Sequence, residues 1–373
     1  MADTAQGTGR IECRPADGGW RLTLERDGSA ISWCSVVTRT MRFGCSRLLV
    51  GGIGGVGTRP DERRRGHARR VLAAAIELMT REGFDLSFLH GIQDFYGKFG
   101  YVTCMPEYEL SMNTRDAERV EAGARMRRLR AGDLPRIVEL YERDNALRVG
   151  SAVRTLDRWH GFRVGTWWTI RAAVQVVLDS SGEVAGYVAY DDTEDACRAS
   201  EVGGRGEQVF AAILGFLARR AVRLRRERLE LHLPDDHPFA VYARQYGLRS
   251  HTLYPRAEKG MGRIIDLHRC MQHLCPELTR RWPAHRRAEV LALRTPLGSG
   301  WLAWKGDRAV WESGRRAGAI ALEQQTLTQL IFGYVRPSDL AIWGRLRVSA
   351  PRQELLDALF PMQLAQLWWA DRF

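Results

Sequence analysis

A chain of 373 residues is longer than one hydrophobic core holds, so two or three domains are expected. With 45% hydrophobic and 27% charged residues the composition is that of a globular protein, which excludes a disordered or fibrous chain, and no apolar run is long enough to span a bilayer. The formal charge of +12 leaves nucleic acid, a membrane surface or a polyanionic small ligand open as partners, because net charge bears on association and not on fold.

The first nine residues are polar and small, without the basic start and apolar centre of a secretory signal, and a cytoplasmic location is expected. Seven scattered cysteines with no C-x-x-C pair read as reduced and structural. Residues 20–25, 31–43 and 47–58 alternate as antiparallel strands separated by turn residues. After Pro60 the period changes: Val71, Leu72, Ala75, Ile76 and Met79 fall on one helix face, and Gly83 ends the helix. Residues 85–90 form the next strand, a short segment around Phe95 and Tyr96 is helical, and residues 101–103 and 108–112 close the unit as two strands. Alternation of this kind makes an α/β sandwich over residues 1–112.

Residues 113–125 hold few apolar groups and are expected to link domains. A second unit over residues 126–268 then opens with a strand at 126–130, an N-cap at Asp133 and an amphipathic helix from Leu134 to Tyr141. A hairpin (174–178 and 184–190), a long helix (208–224), a strand (229–233), a helix (238–246) and a last strand (263–267) repeat the order of the first unit, with two extra helices near the start. The six arginines between Arg219 and Arg228 are interleaved with Leu and Val at helical spacing and read as a solvated helix face rather than a nucleic-acid contact. His232, Asp235, Asp236 and His237 lie in a Pro-flanked turn and read as a solvated loop, so no metal is expected. Residues 269–373 form a small α+β domain with strands at 290–294, 300–305 and 308–312 and helices at 326–333 and 351–359. Its tryptophans, Trp301, Trp304 and Trp311, like Trp368 and Trp369, are assigned to the core.

The chemistry concentrates where a strand ending Gly55-Val56-Gly57-Thr58 turns through Pro60 into Arg63-Arg64-Arg65-Gly66-His67-Ala68 and a helix. Successive N–H groups at a helix N-terminus, backed by the helix dipole, suit a pyrophosphate, and Gly66 and Ala68 carry no side chain to block it. Neighbouring arginines add charge-assisted bonds to phosphate. Alone, R-x-x-G-x-A is weak, and an arginine-rich turn capping a surface helix fits it equally well. His67 is expected to act through its backbone N–H rather than its imidazole.

In its setting, between a Gly-bearing strand and the later segment Phe95-Tyr-Gly-Lys-Phe-Gly-Tyr101, the pattern resembles the acyl-CoA signature [QR]-x-x-G-x-[GA] of the GNAT superfamily of N-acetyltransferases. A tandem pair of such units, a sterol-carrier-like domain and an aromatic carboxy-terminus resemble the Eis-type (enhanced intracellular survival) members. The implied fold class is mixed α/β, with tandem acyl-CoA N-acyltransferase folds plus a small α+β sterol-carrier-like domain. The implied co-substrate is acetyl-CoA. By resemblance, the backbone of Val56, Gly57 and Thr58 pairs with the pantetheine arm, Arg63, Arg64, Arg65, Gly66, His67, Ala68 and Arg69 wrap the pyrophosphate, and Gly91 and Ile92 complete the wall. Tyr96 is the implied acid for the leaving thiolate, and the α-carboxylate of Phe373 the implied base.

The expected reaction moves acetyl to a primary amine of a small polyamine-like or aminoglycoside-like acceptor, or to a protein lysine. A protonated amine needs a base, and a phenol can protonate a thiolate. The resemblance further implies a homo-oligomer, a hexamer. The second unit carries Val202-Gly-Gly-Arg-Gly-Glu-Gln208 where a phosphate loop would stand, with Glu207 beside any phosphate, and is expected to bind no acetyl-CoA. The short stretch before Ile31 leaves no room for the two helices that flank an acceptor groove, which keeps a non-catalytic acyl-CoA-binding or interaction protein as the alternative; nucleic-acid binding ranks last. The arginine content of the third domain argues for a scaffold rather than a lipid carrier.

Overall fold

The computed structural model describes residues 9–159 and 161–373, so all but one of the opening residues read above lie outside the description. The first segment runs β1 (Arg10–Ala16), β2 (Gly19–Arg26), β3 (Ser29–Phe43), β4 (Ser46–Thr58), α1 (His67–Arg81), β5 (Leu86–Gly91) and β6 (Val102–Met105). The middle runs β7 (Glu107–Asn113), α2 (Thr114–Ala117), β8 (Met126–Arg128), α3 (Leu134–Asp144), β9 (Ala173–Leu178), β10 (Val184–Asp192), β11 (Ala196–Gly204) and α4 (Glu207–Arg223). It continues with β12 (Arg228–Leu231), α5 (Pro238–Ala243), β13 (Arg249–Leu253) and β14 (Lys259–Ile264). The last part holds α6 (Leu267–Arg281), β15 (Val290–Thr295), β16 (Gly298–Lys305), β17 (Arg308–Ser313), β18 (Ile320–Ala321), α7 (Gln324–Phe332), α8 (Pro337–Ile342) and α9 (Ala350–Leu359).

Two compact units form, and they cut across the boundaries expected from the sequence. One comprises residues 1–105, 255–363 and 373; the other, residues 106–254 and 364–372. The sheet of the first unit has the order β1-β2-β3-β4-β5-β14-β6, and that of the second β13-β7-β12-β11-β10-β9-β8. Strand β7, expected to end the first unit, pairs with β12 and β13, and β14, expected to end the second, pairs with β5 and β6. Each half of the chain thus lends one strand to the other sheet. Periodicity could not reveal this, because an alternating strand carries the same pattern whichever sheet receives it.

In the first unit α1 packs on the sheet through Val71, Leu72, Ala75, Leu78 and Met79. They meet Leu22, Leu24, Cys34, Val36, Ile53 and Phe84 in one buried cluster. No helix separates β1 from β2, which join through Asp17 and Gly18. Helix α7 lies against β14 and β6: Gln324 Oε1 accepts from the Ile264 N–H at 3.2 Å, and Gln329 Nε2 donates to the Thr103 carbonyl at 3.0 Å. Helix α6, capped by Asp266, is tied to the β3–β4 turn by Glu277. That buried carboxylate accepts from the Cys45 N–H at 2.9 Å and is held by Arg280 and Arg281. Around α6 and α7 the four-stranded sheet β17-β16-β15-β18 completes the carboxy-terminal module.

The second unit buries most of α4 (Phe210, Ile213, Leu214, Leu217) against Leu110, Val188, Leu229 and Leu231. Residues 113–125 are not a free link: the Thr114 hydroxyl donates to the Arg226 carbonyl at 2.7 Å, and Ala117 is fully buried. Of the helices expected near the start of this unit, α3 forms, and the described residues from 145 to 172 run as turns and irregular chain. His237 is buried and His232 partly so, its ring nitrogen Nε2 out of solvent, and this desolvation holds both imidazoles down to about 3. Asp235 accepts from Ser250 at 2.7 Å and Asp236 pairs with Arg148, both carboxylates keeping solvent contact, so the turn is solvated at its aspartates as expected and buried at His237. Among the described residues no helix is long and apolar enough to cross a membrane, and no group of three or more His, Cys, Asp or Glu is placed to hold a metal ion.

Residues 364–372 are strapped across the second unit. Trp368 is buried with its Nε1 donating to Asn145 Oδ1 at 2.9 Å, and the Gln366 N–H donates to the Val149 carbonyl at 2.9 Å. Asp371 is paired with Arg154 at 2.9 Å, and Arg154 also pairs with Glu201 at 2.7 Å, all three being 3% exposed or less. Tyr141 and Tyr187 complete the network with hydroxyl bonds to Asp371 and Glu201. Removing one partner of a buried set leaves the remaining charges unpaired in a poorly solvated place. Arg154→Ala should therefore destabilise the protein by about 3–5 kcal/mol. Loss of the exposed Arg14–Glu12 pair by Arg14→Ala should leave stability nearly unchanged, and denaturant unfolding of both variants checks the contrast.

Candidate active site

Strand β4 has two neighbours for only part of its length. Val50–Ile53 pair in parallel with Leu86–Leu89 of β5, and beyond Ile53 that pairing stops, while on the other side β4 stays bonded to β3 as far as Thr58. The register with β3 slips at the same point: Trp33 faces Gly57 but Ser35 faces Gly54, and Gly55 adopts φ +56°. An extra residue of this kind bends a strand and sharpens its twist. Strand β4 therefore peels from β5, which offers no ladder to residues 54–58.

A cleft of about 850 Å³ is lined by this peeled segment, within the size range of small-molecule sites. Its walls are Trp33 of β3, Val56, Gly57 and Thr58 of β4, the loop from Arg59 to Gly66 without Asp61 and Arg65, the first turn of α1, and Ile92, Phe95, Tyr96 and Lys98 beyond β5. The loop is built from left-handed residues, Arg64 at φ +64° and Gly66 at φ +82°. A Cβ on Gly66 would meet nothing within 4 Å, so its backbone angle and not its surroundings calls for glycine. Gly66 is the N-cap of α1 and no side chain caps the helix. The Arg70 N–H already reaches the Gly66 carbonyl at 3.2 Å. The N–H groups of His67, Ala68 and Arg69 precede the first intrahelical bond, and are therefore donors for an anion.

Charge in the loop is sorted by Glu62, which is 6% exposed. Its carboxylate takes Arg26, Arg65 Nη1 at 3.2 Å and His67 Nε2 at 3.2 Å. Arg65 is thereby turned to Glu62 and stands outside the cleft lining, whereas Arg63, Arg64 and Arg69 belong to it. The His67 imidazole is likewise committed to the loop, leaving the backbone of this residue for a ligand.

Tyr96 is 7% exposed, with Phe95 and Tyr101 edge-on at 4.9 and 6.2 Å. Its hydroxyl makes no hydrogen bond among the described residues, and burial pushes its pKa above the ordinary 10, so the phenol keeps its proton at neutral pH. Cys34, in the same core, is no competing nucleophile, because burial raises its thiol to about 12. Gly91 is buried behind Tyr96, where a Cβ would lie 2.9 Å from the Tyr96 ring and 2.5 Å from the Met261 sulfur, and it is not in the lining. Ile92 is 67% exposed on the rim.

Phe373 lies on the same strand as the cleft, two glycines upstream. A Cβ on Gly52 would stand 2.4 Å from its ring, and one on Gly54 would stand 2.9 Å from its main-chain carbonyl carbon. The ring also meets Phe88 edge-on at 6.3 Å. Bare glycines at 52 and 54 are what let the aromatic and the carboxyl group lie flat on the strand. The sequence reading missed Trp33, Arg59, Pro60, Glu62, Phe95 and Lys98 of the lining. A signal existed for Glu62, which with Asp61 stands just before three arginines, but none for Trp33, which reaches the cleft through cross-strand register.

The corresponding loop of the second unit, expected to bind no acetyl-CoA, is bonded to Asp144. The Gly204 N–H donates to Asp144 Oδ2 at 2.8 Å, Arg205 Nε pairs with Asp144 Oδ1 at 2.9 Å, and Glu207 occupies the first turn of α4.

Gly57 and Trp33 form one wall of the cleft by direct contact: a Cβ on Gly57 would fall 2.6 Å from the indole Nε1. Gly57→Val should displace Trp33, cost about 1–3 kcal/mol of stability through overpacking, and shift the intrinsic tryptophan emission, which a fluorescence-monitored melt records.

Residues 10–104 match the acetyltransferase (GNAT) domain family and residues 301–368 the sterol carrier protein domain family. No curated protein matches the sequence. Three solved structures show a similar fold over nearly the whole chain. A conserved protein of unknown function from Enterococcus faecalis V583, described as a probable N-acyltransferase, has a TM-score of 0.76 at 19% identity, covering 95% of this chain and 90% of that one. A GCN5-related N-acetyltransferase from Anabaena variabilis gives 0.74 at 16% identity over 95% and 89%. Eis1 from Mycobacterium abscessus gives 0.67 at 17% identity over 96% and 93%. At these identities the likeness is one of fold. The chain thus matches the GNAT acetyltransferase domain family over residues 10–104 and the sterol carrier protein domain family over residues 301–368, and shares its overall fold with these three solved structures.

Proposed function

We propose that the protein is an acetyl-CoA-dependent N-acetyltransferase acting on a primary amine. The observation that supports this most directly is the convergence, in one cleft, of a peeled strand, an uncapped helix start flanked by arginines, and a phenol with no internal partner. Acetyl-CoA would supply an acetyl group already activated as a thioester. The backbone of Val56, Gly57 and Thr58 would bond the pantetheine amides as a strand does. The N–H groups of His67, Ala68 and Arg69, with the guanidinium groups of Arg63, Arg64 and Arg69, would hold the pyrophosphate. Tyr96 would give its proton to the departing sulfur, and the carboxyl group of Phe373 would take the proton of the incoming ammonium, directly or through a water. The acceptor class is a small polyamine-like or aminoglycoside-like amine, with protein lysine as the second choice. A binding-only role is the second reading, favoured by the direct β1–β2 turn where the GNAT resemblance would place two acceptor-flanking helices.

Thiol release from acetyl-CoA, measured against a panel of amines, separates the two: release that depends on the amine is expected, and CoA binding with no such release would leave the binding-only role. Tyr96→Phe should lower kcat by about 10²-fold or more with little change in KM for acetyl-CoA. The pKa of Tyr96 lies above 10, so the wild type should show no alkaline loss of kcat attributable to this residue below that pH. One glycine added after Phe373 should lower kcat while sparing CoA affinity; unchanged turnover would remove Phe373 from the mechanism.

A further inference from the structure

A second and larger cavity, of about 1240 Å³, lies within the carboxy-terminal module and the elements around it. Its walls carry four arginines, Arg294 at the end of β15, Arg315 and Arg316 in the turn after β17, and Arg345 after α8. None of the four has a carboxylate within salt-bridge distance among the described residues. Arg345 donates to the Thr326 hydroxyl at 3.0 Å, and Arg316 lies over the Trp301 ring at 5.5 Å. This contrasts with Arg280, Arg281 and Arg286 of the same module, each of which is matched to glutamate. Glu323 is the lone acid in the lining and pairs with none of the arginines.

His268 adds a directed donor. The Trp311 indole N–H donates to His268 Nδ1 at 3.1 Å, so that nitrogen is the acceptor and the ring proton sits on Nε2. Nε2 in turn lies 3.1 Å from where a Cβ on Gly298 would stand, and Gly298 lines the cavity. Apart from Glu323, every charged group of the wall is a donor. Four positive charges in one concavity exceed what a single carboxylate would balance, and guanidinium forks match phosphate oxygens bidentately.

We propose that this cavity binds a small anion bearing two or more phosphate groups, at a site separate from the cleft beside α1. Pro296, Ala319, Ala321 and Leu322 give the wall an apolar part, but an apolar lipid tail would leave its four arginines desolvated and unpaired. The phosphates could belong to a free metabolite or to a lipid headgroup, and one experiment distinguishes them.

Tripolyphosphate is titrated by calorimetry into the full chain at low salt. Three variants are compared: Arg294→Ala with Arg345→Ala, Arg315→Ala with Arg316→Ala, and Arg64→Ala, the last to weaken the other anion site. The proposal expects binding to weaken at least tenfold in both cavity variants and to persist in Arg64→Ala. All the cavity arginines are exposed, so the variants should fold, which circular dichroism checks. Binding that disappears in Arg64→Ala and is untouched in both cavity variants would overturn it. Vesicles containing a polyphosphorylated inositol lipid form a second arm: co-sedimentation lost in the cavity variants assigns the phosphates to a headgroup, and tripolyphosphate binding without co-sedimentation assigns them to a free ligand. Duplex DNA that binds with the same arginine dependence while tripolyphosphate does not would sink the small-ligand assignment.

Discussion

The site depends on the point at which β4 leaves β5. Up to Ile53 the two strands share a parallel ladder; past it, β4 holds only to β3, and a bulge at Gly55 turns it further away. The cleft beside α1 is arranged around that gap: the loop at the end of β4, the first turn of α1 and the segment after β5. The strand that makes the gap is rich in glycine, which weakens a strand by removing packing and adding chain entropy. The deficit is offset by burial around it, with Met79 and Phe84 packed on Gly51 and the ring of Phe373 on Gly52. Local weakness at the strand is thus tolerated because the surrounding core is large.

What the sequence disclosed divides along the same line. Helix α1, its glycine start and the arginine-rich loop before it were readable, since periodicity, φ-permissive residues and charge are local properties. Strands β2 to β5 and the hairpin β9–β10 were readable for the same reason. The short edge strand β1 and the long β11 were missed: β11 mixes charge and glycine into Ala-Cys-Arg-Ala-Ser-Glu-Val-Gly-Gly, which lacks clean alternation. The sorting of Arg65 away from the cleft was hidden, because it follows from Glu62 folding beneath the loop. The placement of Phe373 against Gly52 and Gly54 has no local signature at all; it was expected only through resemblance.

In the second unit a strand also parts from its neighbour, with a different outcome. Strand β11 pairs with β12 only from Ala196 to Ala199, so it too parts from its neighbour, and Glu201 lies just past the separation. There the space is taken by Arg154, bonded to Glu201 and to Asp371 of the tail, with the guanidinium stacked 3.6 Å from the Tyr141 ring centroid. A gap that would admit a ligand in one unit is filled by the protein's own chain in the other. Buried charge is a weak source of net stability, but it is intolerant of mismatch, and this favours a single path for residues 364–372.

The exchange of β7 and β14 has a bearing on how the chain is made. During synthesis the growing polypeptide completes β5 and β6 long before β14 emerges, and until then the seat between them stays open, with the outer edge of β5 carrying unsatisfied hydrogen-bonding groups. Pairing across so long a loop raises contact order and slows folding, while an open strand edge is a template for association with other chains. A protein built this way finishes its first sheet only after most of its second has been translated, so premature release of the nascent chain yields a fragment that cannot close its own sheet.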